Sequence, residues 1–157
     1  MDKIVQIIKK FRDLYNKMAW FNSANVKNRF ADYTSSEVHC VEYIGANADS
    51  NVTVLAESFY MTRGAISKMT KKLIAKGVIE SYQKSDNKKE VYFKLTKQGQ
   101  KIYDIHEEMH QEFIIRDKSV FEELTEEHFK NMFSFIETYS RHLDREIEKQ
   151  GLDIKSE

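Results

Sequence analysis

MTRGAISKMTKKLIAKGVI, residues 61–79, decides the architecture of this chain. Thr62 is a good helix N-cap, and Ile66, Met69, Leu73 and Ile74 recur at helical spacing as an inward face. Gly77 then stands at the C′ position, where a left-handed residue ends a helix. The opposite face carries Arg63, Ser67, Lys68, Lys71 and Lys72. From Val78 the period changes to two, with a polar centre at Lys84 to Glu90 (KSDNKKE) and alternation through Val91, Phe93 and Leu95. The pattern predicts a basic helix over 62–76, followed by a β-hairpin over 81–95 with an exposed basic tip.

Upstream, Ile4, Ile8, Phe11, Tyr15 and Met18 fall in one stripe of a long first helix. Ser35 or Ser36 precedes Val38, Val41 and Ile44, and Gly45-Ala46-Asn47 supplies a stop, so a second helix of about three turns is expected. A short third helix runs from roughly 53 to 59. Two short helices, a basic helix and a hairpin make a winged helix-turn-helix. Downstream, Ile102, Ile105, Met109 and Phe113 form another stripe. After a break near 117–124, Thr125 caps a last helix with an apolar face that includes Phe129, Phe133, Ile136, Leu143 and Ile147. The expected fold class is therefore mainly α with a small β-hairpin wing. One domain is expected, with dimerisation helices at 1–33 and 100–150 flanking a DNA-binding lobe at 35–99. The terminal stripes exceed what so small a lobe can cover, which implies a homodimer.

Charge is sorted along the chain. Residues 62–103 carry eleven Lys/Arg against three Asp/Glu, and residues 104–157 carry seven against fifteen, although the net charge is zero. A central block of this kind is the footprint of a surface that neutralises phosphates, and it points to double-stranded DNA. Proline is absent and glycine occurs five times, in keeping with a mostly helical chain. The apolar runs are too short for a membrane span, so a soluble, cytoplasmic protein is expected. The lone Cys40 excludes an intrachain disulfide. Beside His39 it invites a thiol-sensor reading, but small apolar packing is the expected role.

The order of elements, together with Val54-Leu55-Ala56, residues 61–79 and YFKLTKQG at 92–99, resembles the MarR family of bacterial transcriptional regulators. The resemblance implies a homodimer whose terminal helices interlock, whose fourth helix enters the major groove and whose wing reaches the minor groove of a pseudo-palindromic operator. Thr62, Arg63, Ser67, Lys68 and Lys71 fall on the DNA-facing part of the recognition helix, and Lys84, Asn87, Lys88 and Lys89 on the wing. Arg63 suits bidentate bonding to guanine, whereas Lys68 and Lys71 suit phosphates. The family's wing usually carries Asp-x-Arg where this chain has Asn87-Lys88-Lys89. Lysine is the poorer minor-groove probe, so the wing is expected to add affinity more than sequence choice.

A regulator of this kind, a repressor by expectation, needs an effector. His106 and His110 lie four residues apart on one helical face, a spacing suited to a shared metal ion. In the zinc-responsive branch of the family, a histidine at the start of helix two joins such a pair, and His39 matches that position. The resemblance thus implies zinc, acting as corepressor, on His39, His106 and His110. That branch also takes an acidic ligand from the first helix region, where this chain has Phe21, Asn22 and Asn25. The fourth ligand would be an asparagine, water, Glu112 or another carboxylate. The main rival effector is a small phenolic or lipophilic molecule lined by Trp20, Phe21, Phe30 and Tyr33. HEEMH at 106–110 also spells the zincin motif HExxH, but nothing follows it at metzincin spacing, and a non-enzymatic protein is expected.

Overall fold

The structure is a computed structural model that describes residues 2–150. Its elements run α1 (Lys3–Arg29), α2 (Ser35–Ala46), α3 (Val52–Phe59), α4 (Arg63–Ala75), β1 (Ile79–Lys84), β2 (Asn87–Leu95), α5 (Lys97–Phe121) and α6 (Glu126–Lys149). The fold is mainly α with a two-stranded antiparallel wing, as the change of period at Val78 predicts. Residues 151–157, the end of the acidic C-terminal segment, lie outside the described residues.

Each helix starts where a side chain satisfies its orphan amides. Thr34, not Ser35 or Ser36, caps α2: its hydroxyl accepts from Glu37 N at 3.2 Å, and the Glu37 carboxylate accepts from Thr34 N in return. Such caps contribute about 1 kcal/mol each. Asn51, Thr62 and Thr96 cap α3, α4 and α5 by accepting from one backbone amide each, and Thr125 caps α6 in a reciprocal pair with His128. Gly77 ends α4 with φ 72°, the left-handed conformation expected of its position. Tyr60 takes the same conformation at the turn between α3 and α4, with φ 51°.

The core lies between α2, α4, the base of the wing and the first half of α5. Val38, Val41, Leu55, Ile66, Leu73, Val78, Ile79 and Met109 are fully or almost fully buried there. Two expected stripes need correction. In α4 the inward face is Ile66, Met69, Thr70 and Leu73, whereas Ile74 is 41% exposed. Thr70 tolerates burial because its hydroxyl donates to the carbonyl of Ile66 at 3.0 Å. In α5 it is His106 that turns inward with Ile102 and Met109, while Ile105 is 37% exposed. The break before α6 is also shorter than expected, because α5 continues to Phe121.

The turn of the wing is confined to Ser85 and Asp86, since Lys84 already pairs with Asn87 and the strands continue to Leu95. The terminal helices stand largely outside the core. α1 buries Val26, α6 buries no residue, and the two meet where Phe11 stacks on Phe135 at 5.6 Å. The α1 stripe is therefore exposed, as are Ile114 and Ile115 at the end of α5 and Phe133 and Ile136 on α6. Among the described residues no helix is long and apolar enough to cross a membrane.

Candidate DNA interface and histidine cluster

The basic face of α4 is free to meet a ligand. Thr62, Arg63, Lys68, Lys71 and Lys72 are exposed and Ser67 is half-buried, and among the described residues none of the four cations is ion-paired. The Thr62 oxygen accepts from Ala65 N at 3.1 Å, so this residue shapes the helix start and has only its hydroxyl proton left to give. Arg63, the next residue, stands at the N-terminal end of the helix, where backbone amides add positive potential.

The wing divides into an occupied base and a free tip. Lys84 donates to Asp49 at 2.6 Å and lies 4.8 Å over the Tyr92 ring, while Tyr82 donates its hydroxyl to the other oxygen of Asp49 at 2.7 Å. Asp49 takes the left-handed conformation at φ 58°, which a short polar side chain tolerates. These bonds hold the Asp49 carboxyl below its usual range and raise the Lys84 ammonium above its own. Phe93 N donates to Ser50 O at 2.9 Å, so the turn before α3 is tied to β2 as well. The Asn87 side chain accepts from the amides of Lys89 and Glu90 at 3.2 and 3.3 Å and shapes the second strand's start. Lys88 and Lys89 are exposed and have no ion pair among the described residues.

Two other lysines of the basic block are likewise occupied. Lys76 donates to Glu37 at 2.9 Å beneath the Tyr33 ring, and Lys94 pairs with Glu80 at 3.4 Å. Replacing Lys88 or Lys89 by alanine is expected to flatten the salt dependence of DNA binding by about 1.8 in log–log slope, one phosphate per protomer of a dimer. Lys84→Ala is expected to change that slope by less than half as much. Titration of DNA at four salt concentrations measures all three, and equal slopes for the three variants would contradict this division of the wing.

The three histidines converge. His39 on α2 faces His106 with ring centroids 5.4 Å apart, and His106 lies 4.3 Å from His110 one turn further along α5. His106 is 2% exposed, and its Nδ1 is buried without a hydrogen-bond partner. Burial first, then the neighbouring His110 and His39, lowers its pKa to about 4. Burial also lowers that of His39, against the attraction of Glu42. Both rings are thus neutral at neutral pH, the form in which imidazole binds metals.

Glu42, one turn after His39, is the residue that sequence reasoning did not identify. Its Oε2 lies 3.5 Å from His106 Nδ1 and its Oε1 3.6 Å from His110 Nδ1. Ligand atoms of His39, Glu42 and His106 lie within 4.8 Å of one another, and so do those of Glu42, Glu107 and His110. The helical spacing of His39 and Glu42 was a signal for it, though only the packing of α2 on α5 shows which acid faces the rings.

Other candidates separate in space. Glu112 is bound to Arg29, and Asn25 donates to the carbonyl of Phe21 at 2.8 Å on its own helix. Cys40 is fully buried, and burial with the nearby Glu37 pushes its thiol up to about 12, so it packs as a small apolar group and is a poor redox sensor. The four aromatics proposed for an organic ligand do not share one pocket: only Trp20 and Phe21 line a cleft together, an open one of about 450 Å³ on α1. Phe30 is in the core, Trp20 is 72% exposed, and Phe21 lies against Phe113 and Arg116. Tyr33 alone of the four lines the cleft of about 390 Å³ that includes Lys27, Glu37 and Lys76.

A sequence model of the MarR family matches residues 33–91. The uncharacterized HTH-type transcriptional regulator YhjH of Bacillus subtilis (strain 168) is 40% identical over 94 residues, 60% of this chain and 54% of that protein. The HTH-type transcriptional regulator PchR of the same organism is 32% identical over 111 residues, 71% of this chain and 66% of PchR. The chain thus spans between about half and two thirds of the length of these relatives. The crystal structure of Streptococcus pneumoniae FabT in complex with DNA superimposes with a TM-score of 0.80 at 21% identity, covering 91% of this chain and 99% of that one. The last likeness is one of fold.

Proposed function

We propose, from the premise that this chain is a MarR-family winged-helix protein, that it is a homodimeric DNA-binding transcriptional regulator, a repressor whose affinity for a pseudo-palindromic operator is set by a metal effector. The observation that carries the DNA reading is the free cationic face of α4, with Arg63 at the N-terminal end of a helix whose apolar side is seated in the core. The relatives' description as transcriptional regulators and the DNA-bound FabT structure support it. The fold and family are those of non-enzymatic regulators, and the zincin reading of residues 106–110 has no support beyond its five letters.

The dimer reading rests on the apolar surface of the terminal helices. Ile8, Met18, Ile115, Phe133 and Ile136 are each roughly half exposed or more, and a patch of this extent marks an interface. A second copy related by two-fold symmetry would cover it and would place two α4 helices on one side of the assembly. Selection of duplexes from a randomised pool is expected to return a two-fold consensus with half-sites about one helical turn apart.

Arg63→Ala tests the base-reading role. Loss of a bidentate guanine contact costs about 1–3 kcal/mol, roughly fivefold or more per half-site. Binding to the selected operator is expected to fall by at least that factor, while binding to random duplex falls only slightly. Equal losses on both DNAs in a competition assay would remove Arg63 from sequence readout.

For the effector, the orphaned His106 Nδ1 and the converging rings fit a divalent cation on His39, His106 and His110. Imidazole with carboxylate favours zinc over magnesium or calcium. When bound, such a cation supplies a cross-link between α2 of the DNA lobe and α5, the helix that leads out of it. Because α5 also carries the chain out of the lobe toward the terminal helices, a link that fixes its packing on α2 would bear on the spacing of the two recognition helices. A link that favours one spacing shifts the dimer toward its DNA-competent form, which is corepression. The organic-ligand alternative finds less support, because its aromatic residues are dispersed between core and surface.

A further inference from the structure

We infer that Glu42 completes the histidine cluster as its fourth ligand, so that a cation is held by two pairs of side chains on α2 and α5, with nothing contributed by α1. The inference rests on the metal reading above. His39 and Glu42 are three residues apart on α2, and His106 and His110 four apart on α5, so each pair projects from one helical face. The two faces are opposed, because the Glu42 oxygens stand 3.5 Å from His106 Nδ1 and 3.6 Å from His110 Nδ1. Ligand atoms about 2.0–2.1 Å from a tetrahedral zinc ion lie about 3.3–3.4 Å from each other. Each of these two separations, one from each carboxylate oxygen, is within a few tenths of an ångström of one such edge, and the ligand atoms of His39 lie within 4.8 Å of those of Glu42 and His106.

A hydrogen bond does not account for the arrangement. His106 Nδ1 is buried and unpartnered although a carboxylate oxygen is 3.5 Å away, and a buried nitrogen left without a partner is costly. Coordination would satisfy it. Glu42 is also the acid that fits by elimination. Glu112 is held by Arg29, and Phe21 and Asn25 are engaged on their own helix and on Phe113. Glu107 approaches His110 Nδ1 only to 3.9 Å, as an i,i+3 neighbour nearly half exposed to water. A carboxylate beside the three imidazoles also halves the charge of a divalent cation held between two helices.

The test uses the full-length, metal-stripped protein, titrated with zinc against a chromophoric chelator and separately with cobalt(II), whose visible absorption reports ligand number. The native protein, Glu42→Gln, Glu107→Gln, Glu112→Gln and His106→Ala are compared. The amide keeps the shape of Glu42 but is a much weaker ligand, and loss of even an outer-shell partner lowers metal affinity roughly 10- to 100-fold. Glu42→Gln is expected to weaken zinc binding by at least that factor and to change the cobalt spectrum, while Glu107→Gln and Glu112→Gln bind as the native chain does. Native binding that is lost in His106→Ala but kept in Glu42→Gln would overturn this inference and leave the metal site standing. A loss in Glu107→Gln or Glu112→Gln equal to that in Glu42→Gln would overturn it as well. Absence of zinc binding by the native protein would overturn the metal reading and this inference together.

Discussion

Gly99→Ala is expected to cost at least roughly 1–3 kcal/mol of stability, the range of ordinary overpacking. A Cβ built at Gly99 would lie 2.0 Å from the carbonyl oxygen of Val78 and 3.0 Å from its carbon. The obstacle is backbone, so no rotamer change relieves it. Gly99 is the third residue of α5, where its amide donates to Thr96 Oγ1 at 3.1 Å, and Thr96 in turn donates to Gly77 O at 2.7 Å and, through its amide, to Val78 O at 3.1 Å. The end of α4, the start of β1, the end of β2 and the start of α5 thus meet at one point. Relief of the clash would lift α5 and displace His106 and His110 two and three turns further along. Gly45→Ala provides the contrast: its nearest obstacles are the Tyr103 ring at 2.6 Å and Leu95 Cδ1 at 2.7 Å, side-chain rather than backbone atoms, so a smaller loss is expected. Urea denaturation of the two variants beside the native chain measures the difference. A Gly99→Ala midpoint equal to that of the native chain would show that α5 does not seat against Val78.

Operator affinity is expected to fall by roughly 10³ or more between 50 and 200 mM salt, the loss typical of proteins that make 6–10 phosphate contacts. The number follows from which lysines are free. Lys76, Lys84 and Lys94 are engaged by Glu37, Asp49 and Glu80, so they add little counterion release. Of the lysines that remain exposed and unpaired among the described residues, Lys68, Lys71, Lys88 and Lys89 are the ones placed on the recognition helix and the wing tip as phosphate contacts, four per protomer and therefore eight per dimer. The same salt series measured on random duplex should give nearly the same slope, because phosphate contacts carry no sequence information. A slope near zero, or one as steep as all eleven cations of the block would give, would contradict this assignment.

What could be read from the chain alone follows the range of the forces concerned. Helix, wing and cap positions depend on residues a few places apart: Thr62 on Ala65, Gly77 on the turn it ends, the alternation of Val91, Phe93 and Leu95 on the pleat of one strand. These readings agree with the structure, and the family likeness covers the same central segment. Where two residues compete for one local role, periodicity decides less well. Thr70 and not Ile74 faces the core of α4, and His106 and not Ile105 faces that of α5, because helical period alone leaves adjacent positions at the edge of a stripe undecided and the packing partner chooses between them.

By itself the sequence determined the winged helix-turn-helix, the basic face of α4, and the two histidines four apart on α5, since each is a matter of helical or strand period and local charge. Only the tertiary structure decided which lysines are free, that Cys40 is sealed in the core, that the four aromatics disperse, and that Glu42 faces the histidines. The reason is distance along the chain. Asp49 reaches Lys84 across 35 residues, and Glu42 reaches His106 across the whole wing. Among a chain's many acids, nothing local distinguishes the one that the packing of α2 on α5 will bring within 3.5 Å of a buried ring.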